Sequence, residues 1–371
     1  MASEPPIVAV TGAAGFIGRN LVVRLEEVGC DVRPITRATT QRDAEAALQA
    51  ADAVFHLASA IRPNDREDFG RTVAFTGVVA GAIARGGRRP LVVLSSSRRA
   101  VEDTDYGRCA RACEEAILDL GALGEATAVV YRLPNVFGKW ARPNYNSCVA
   151  TFCHNLARGL PIQIHDPAKP LSLLYVDDLI EQWVALVQHP PPASARLEAD
   201  GVYDTTVGEM AATLSAFAEG RRRGQIENVG SGLRRALYAT FVAALPTEAF
   251  SYPLATHTDP RGSFAEVFKT RDGGQVSVLT AGPGITRGGH YHHTKVEKFL
   301  VVNGRARFRF RHIRSGETFE LMTSAESAVV VETIPGWTHD ITNVGEETMV
   351  SLLWASELFD RSRPDTVLMP L

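Results

Sequence analysis

The sequence predicts two domains, a doubly wound α/β parallel sheet followed by an all-β sandwich or barrel. Three observations predict it. Strand-like apolar runs alternate with helix-spaced segments from Pro6 to about residue 245. Beyond that point short segments of period-two alternation, rich in β-branched residues, follow one another with turns between. The length, 371 residues, also exceeds what one hydrophobic core commonly fills.

The elements follow in order. PIVAV from Pro6 is an apolar strand, TGAAGFIG a glycine-rich turn, and RNLVVRLEEVG a helix that stops at a glycine. DVRPITR is the second strand, AEAALQA a helix and ADAVFHLAS the third strand. A helix spans Phe69 to Ala84, and LVVLSSS is the next buried strand. TAVVYRLPNVFG is a strand running into a loop, and GEMAATLSAFAEG is a helix. The grammar changes between Leu245 and Pro253, which divides the chain into domains of 1–245 and 250–371. The second domain reads as GSFAEVFKT, GQVSVLTAG, EKFLVVNGRARFRFRH, AVVVETIPGW and TMVSLLWASE, each strand-like.

Composition excludes several functions. Hydrophobic residues make up 45%, charged residues 22%, and the net charge is −3, an ordinary globular balance. With no basic block, the chain is a poor nucleic-acid or membrane-surface binder. No apolar run approaches the roughly 20 residues that span a bilayer. MASEPPIVAV lacks the features of a signal peptide, and five cysteines in the first half make no disulfide framework, so a cytoplasmic protein is expected. Only five basic residues are lysine (Lys139, Lys169, Lys269, Lys295 and Lys298), so a lysine here marks a place where arginine would not serve.

The first chemical motif is Gly12, Gly15 and Gly18, with a strand before and a helix after. The first glycine permits the tight turn, the second lets backbone approach a pyrophosphate, and the third lets helix pack on strand. The phosphate then meets the positive end of the helix. The second strand ends at Arg37 with no acid to grip a ribose, which favours NADP over NAD.

The second motif lies in GITRGGHYHHTKVEKFLVVNG and PGWTHDITN. His290 and His292, two apart on a strand, share a face; Glu297 on the next strand and His339 from a distant one complete a set of three imidazoles and one carboxylate. Such a set suits Zn, Fe, Mn or Ni, and a closed tetrahedral cage favours Zn. His293 faces the other side of the strand.

These motifs carry resemblances. TGAAGFIG, HLAS, LSSS, Tyr106-Gly107, RLPNVFG and YVDDL fall in the order of the extended short-chain dehydrogenase/reductase family, which acts on nucleotide sugars. The resemblance implies a Rossmann-like domain in which Gly12, Gly15, Phe16, Ile17, Gly18, Leu57 and Ala58 hold the dinucleotide and Asn135 meets substrate. It also implies a catalytic Tyr106 with Ser97, or its neighbour Ser96. The family's lysine, four residues after the tyrosine, is Ala110 here, and Arg108 and Arg111 lie on other faces of the helix. With an ordinary tyrosine pKa near 10, that lysine helps the tyrosine work at neutral pH.

Gly284, His290, His292, Glu297 and Gly304, with Pro335, Gly336, His339 and Asn343, resemble the two cupin motifs, which implies a cupin barrel. TDPRGSFAEVFKT, with Arg261 as a substrate contact, looks like the opening of sugar-nucleotide 3-epimerase cupins. In those enzymes a metal-free histidine is the base. If His290 is a ligand here another group must serve, and Lys295 is the candidate, with His293 and Tyr291 as alternatives.

The order of the two halves, with KWARPNYNS, ATFCHNLARGLPI and SLLYVDD between them, is similar to the CapF family over essentially the whole chain. That resemblance implies a homodimeric bifunctional enzyme of surface-polysaccharide precursor synthesis. Its cupin half epimerises C3 of a UDP-2-acetamido-2,6-dideoxy-4-keto-hexose. Its reductase half then reduces the 4-ketone with NADPH toward UDP-L-talosamine/L-fucosamine-type precursors. Three other readings stay open: an epimerase with a silent reductase half, a non-catalytic nucleotide-sugar sensor, and a metal-dependent oxygenase.

Overall fold

The computed structural model describes residues 4–59, 66–253, 256–259, 262–265, 269–270, 275–357 and 362–371. In chain order the first stretch holds β1 (Ile7–Thr11), α1 (Phe16–Glu27), β2 (Asp31–Ile35), α2 (Gln41–Ala50), β3 (Ala53–His56), α3 (Arg66–Gly86), β4 (Leu91–Ser97), α4 (Asp105–Ala122), β5 (Thr127–Leu133) and β6 (Asn135–Phe137). There follow α5 (Cys148–Ala157), β7 (Pro170–Tyr175), α6 (Val176–Gln188), β8 (Ala195–Leu197), β9 (Val202–Thr206), α7 (Val207–Arg223), β10 (Gln225–Ile226) and α8 (Gly232–Ala243). The remainder is strand: β11 (Ser251–Pro253), β12 (Thr256–Asp259), β13 (Gly262–Ala265), β14 (Lys269–Thr270), β15 (Gln275–Ala281), β16 (Thr286–Tyr291), β17 (Glu297–Asn303), β18 (Arg305–His312), β19 (Thr318–Ser324), β20 (Val329–Glu332), β21 (Trp337–Asn343), β22 (Met349–Ala355) and β23 (Val367–Leu368).

The chain groups into two compact units, residues 1–137 with 171–204, and residues 138–170 with 205–371. The first is a Rossmann-like parallel sheet of order β2-β1-β3-β4-β5-β8. Its central strands β1, β3, β4 and β5 bury both faces, as the apolar runs require. Val8, Val10 and Phe55 pack with Leu21 and Leu25 of α1 and Trp183 of α6. Ala9 and Val54 face the other way, onto Leu48 of α2, Ile83 of α3 and Ile117 of α4. The strand order reverses between β1 and β3, and the crevice outside such a switch point is where α/β sheets bind ligands.

The second unit contains two five-stranded antiparallel sheets, β11-β20-β17-β22-β15 and β19-β18-β21-β16-β23. Phe308 and Phe310 of β18 are buried between arginines in sequence, the alternation that period two encodes. Helices α5, α7 and α8 belong to this unit, with Phe217 of α7 edge-on to Tyr238 of α8 at 5.1 Å. A Thr206–Glu209 capping box starts α7, and Gly224 ends it at φ +63°. Among the described residues no helix is long and apolar enough to cross a membrane.

Candidate functional site

The glycine turn sits at the switch point. Thr11 Oγ1 lies 2.7 Å from His56 Nδ1 and accepts the Leu57 N–H at 3.2 Å, which ties the tips of β1 and β3 together. His56 is buried, its Nε2 lies 2.9 Å from Thr76 Oγ1, and burial lowers its pKa to about 4, so it is a neutral strut. Gly12 has φ +69°, and a Cβ there would sit 2.9 Å from Ala58 N. A Cβ on Gly18 would sit 2.3 Å from Gly12 O, so neither position admits a side chain. Gly15 caps α1 without a side-chain bond, and Phe16 and Ile17 open the helix, whose first N–H groups suit a phosphate. Arg37 is exposed two residues beyond β2.

Beside this turn a cavity is lined by Ala58, Ser96, Ser97, Tyr106, Ala110 and Cys113, among others. Tyr106 is the second residue of α4 and Ala110 lies one turn later, so tyrosine and missing lysine share one wall. The Arg99 guanidinium stands 4.9 Å from the centre of the Tyr106 ring. Arg108 pairs with Asp103 and Asp105 at 2.5 and 2.6 Å, and Arg111 donates to the Ala100 and Glu102 carbonyls, so both are engaged away from the place of Ala110. Ser97 Oγ accepts the Arg99 N–H, whereas Ser96 donates to Glu114 at 2.5 Å. Cys109 also lines this cavity.

Glu114 was not singled out by the sequence reading. It is 1% exposed; burial pushes its pKa up, but hydrogen bonds from Arg132 and Ser96 and the charges of Arg132 and Arg196 outweigh that, leaving it below the usual range. Tyr106, Ala110 and Glu114 are spaced by four, and an acid on that stripe was the available signal. Asn135 is exposed and donates to the Ser172 carbonyl at 3.4 Å. Arg261 lies outside the described residues.

In the second unit His290, His292, Glu297 and His339 offer ligand atoms that all lie within 4.8 Å of one another. Their placement differs in detail from a simple two-residue alternation. β16 pairs with β21 as Arg287↔Ile341 and Gly288↔Asp340, then slips so that His290 faces His339. Gly288 at φ +98° and Gly289 at +75° supply this bulge, which re-aims His290. β16 ends at Tyr291, and His292 reaches the cluster from the turn that follows. The three rings stand 4.9–5.3 Å apart between centres.

Glu297 Oε2 is 3.3 Å from His292 Nε2 and 3.6 Å from His339 Nε2, yet neither ring nitrogen has an aligned hydrogen-bond partner. Buried nitrogens left this way and converging on a carboxylate fit a metal ion. Burial would push Glu297 up, but His292 and His339 hold it well below the usual carboxylate range. Burial, with the neighbouring imidazoles, takes His290 down to about 4, so it is a neutral donor at pH 7.

Lys295 Nζ lies 3.4 Å from Glu297 Oε1 and 3.2 Å from Thr366 Oγ1, at the edge of the cluster. Tyr291 is buried, with its ring 5.5 Å from that of His293. Lys298 has another place: it is buried against Glu332, which Arg221 also meets, and burial pushes its ammonium well below the usual range.

Residues 8–196 match the NAD dependent epimerase/dehydratase family, and residues 257–367 match the polysaccharide biosynthesis C-terminal domain. A UDP-2-acetamido-2,6-beta-L-arabino-hexul-4-ose reductase of Pseudomonas aeruginosa is 46% identical over 362 residues, 97% of each chain. A ceramide reductase of Caulobacter vibrioides is 24% identical over 204 residues, 50% of this chain and 62% of its own. The crystal structure of the capsular polysaccharide assembling protein CapF from Staphylococcus aureus superposes with a TM-score of 0.68 at 37% identity, covering 98% of this chain and 100% of that one. With both domain families in the same order and relatives matched end to end, the chain belongs to the CapF family.

Proposed function

We propose that the chain is a bifunctional sugar-nucleotide enzyme. Residues 250–371, read as a zinc-holding cupin, epimerise C3 of a UDP-2-acetamido-2,6-dideoxy-4-keto-hexose. Residues 1–245 then reduce the 4-ketone with NADPH, toward UDP-L-talosamine/L-fucosamine-type precursors of surface polysaccharide, in a cytoplasmic homodimer. The observation that carries this reading is the four-residue cluster, with unsatisfied ring nitrogens, on a chain that also holds a dinucleotide turn beside a Tyr–Ser cavity.

A proton next to a ketone becomes removable when the developing enolate oxygen is stabilised. A divalent ion held by His290, His292, Glu297 and His339 would supply that stabilisation as a Lewis acid. Lys295 stands beside Glu297 and is the group assigned to proton transfer. In the reductase cavity Ser97 and Tyr106 are placed to hydrogen-bond the ketone oxygen and Tyr106 to protonate it, and a bound NADPH would supply the hydride for C4. Arg99 is the positive charge this chain places over Tyr106 in the absence of the lysine. Reduction draws an unfavourable epimerisation forward.

Ala110 favours one second reading, an epimerase whose reductase half is silent. The test incubates the full chain with a UDP-4-keto-hexosamine in deuterated water, with and without NADPH. An alcohol product carrying deuterium at C3, with NADPH consumed, supports the bifunctional reading. Deuterium exchange without NADPH oxidation leaves the epimerase alone. Binding with neither reaction makes the chain a nucleotide-sugar sensor.

A further inference from the structure

The C-terminal segment runs back along the four-residue cluster. β23 pairs with the end of β16, His290 against Leu368 and Tyr291 against Val367. The Met369 N–H donates to the Gly289 carbonyl at 2.8 Å, and Thr338 donates to the Met369 carbonyl. Asp365, just before this strand, meets the turn between His292 and Glu297. Its carboxylate accepts three successive backbone N–H groups, from His293 at 2.8 Å, Thr294 at 2.6 Å and Lys295 at 2.7 Å. The Thr294 hydroxyl lies 3.0 Å from this carboxylate and 2.6 Å from that of Glu357. The Asp365 carbonyl oxygen lies 2.5 Å from His292 Nδ1.

A carbonyl only accepts, so Nδ1 carries the proton, and in the neutral ring Nε2 is the nitrogen that keeps its lone pair, toward Glu297 and His339. The carboxylate in turn fixes the backbone that bears His292 on one side and Lys295 and Glu297 on the other. We infer that Asp365 is a positioning residue for the metal cluster: one residue of the C-terminal segment sets the His292 tautomer through its carbonyl and holds the 293–295 turn through its carboxylate. The inference rests on the metal reading of the cluster. Outer-shell partners of this kind tune ligand orientation and basicity.

Zinc affinity of the full chain, measured by competition with a chromophoric chelator at pH 7.5, tests it. The variants are Asp365→Asn and Asp365→Ala, with Arg311→Ala as control. Arg311 holds the same segment by donating to the Pro370 carbonyl, without touching the turn. The expected result is a loss of about 10- to 100-fold in affinity for both Asp365 variants. Arg311→Ala should stay within about twofold of the native chain. Circular dichroism accompanies each variant, and the rise in Tm on adding zinc should shrink in the Asp365 variants while the zinc-free Tm moves less. A native chain that takes up zinc, with unchanged affinity in folded Asp365 variants, overturns the inference alone. A native chain that takes up no zinc overturns the metal reading and the inference with it.

Discussion

Ala110 lines the reductase cavity one helical turn after Tyr106 and presents a methyl group where its family resemblance expects an ammonium. If the missing cation limits hydride transfer, Ala110→Lys should raise NADPH oxidation with the keto sugar by about 100-fold, the lower range of general acid–base effects. An unchanged rate would mean that the cavity works with what it has. His56 makes a different prediction at the same scale. Its folded pKa, about 4, lies below the ordinary 6.5, so the unfolded chain binds the proton first as pH falls. Stability from the neutral ring is therefore complete above pH 6.5 and is lost as pH drops toward 4, by about 3 kcal/mol. His56→Asn cannot charge, so the gap in urea-unfolding stability between it and the native chain should narrow by that amount between pH 7 and pH 4. A gap constant with pH contradicts the assignment. Side chains of this kind were unevenly legible: glycines and ligands announce themselves by spacing, whereas Glu114 and Asp365 are acids whose meaning comes mainly from partners 18 and about 70 residues away.

Among the elements, β16 matters most to the second site. An uninterrupted strand would alternate His290 out of the cluster, and the Gly288–Gly289 bulge corrects its aim. A Cβ at Gly288 would lie 3.0 Å from the His339 carbonyl, at a φ of +98° that L residues rarely adopt. Gly288→Ala should therefore lower zinc affinity at least about 10-fold, read by the same chelator competition, while the dinucleotide turn still binds NADPH. Retained zinc affinity would show that the bulge is dispensable. The strands were legible from period two, and glycine within a strand is a known mark of a bulge. What periodicity could not supply was the slip itself, which depends on the register against β21. Helix α8 was equally silent, because GLRRALYATFVA buries Ala236 to Val242 almost all round and leaves no clean amphipathic stripe.

At the scale of the whole molecule the change from α/β grammar to strands near residue 245 was plain in the sequence, and the structure places β11 at Ser251. Its compact units follow a different division, since 138–170 and the helices α7 and α8 group with the antiparallel sheets. Chain order reveals a change of element type, but which helices a sheet gathers depends on tertiary packing, as with Arg221 of α7 paired to the buried Glu332 of β20. The central claim is that three imidazoles and one carboxylate of the second unit hold a metal. Elemental analysis of the purified full chain after zinc-replete expression tests it most directly. The account predicts about one zinc per chain, falling to near zero in a His292→Ala, His339→Ala double variant that remains folded. A metal-free native chain, or a double variant that retains the same zinc, would contradict it.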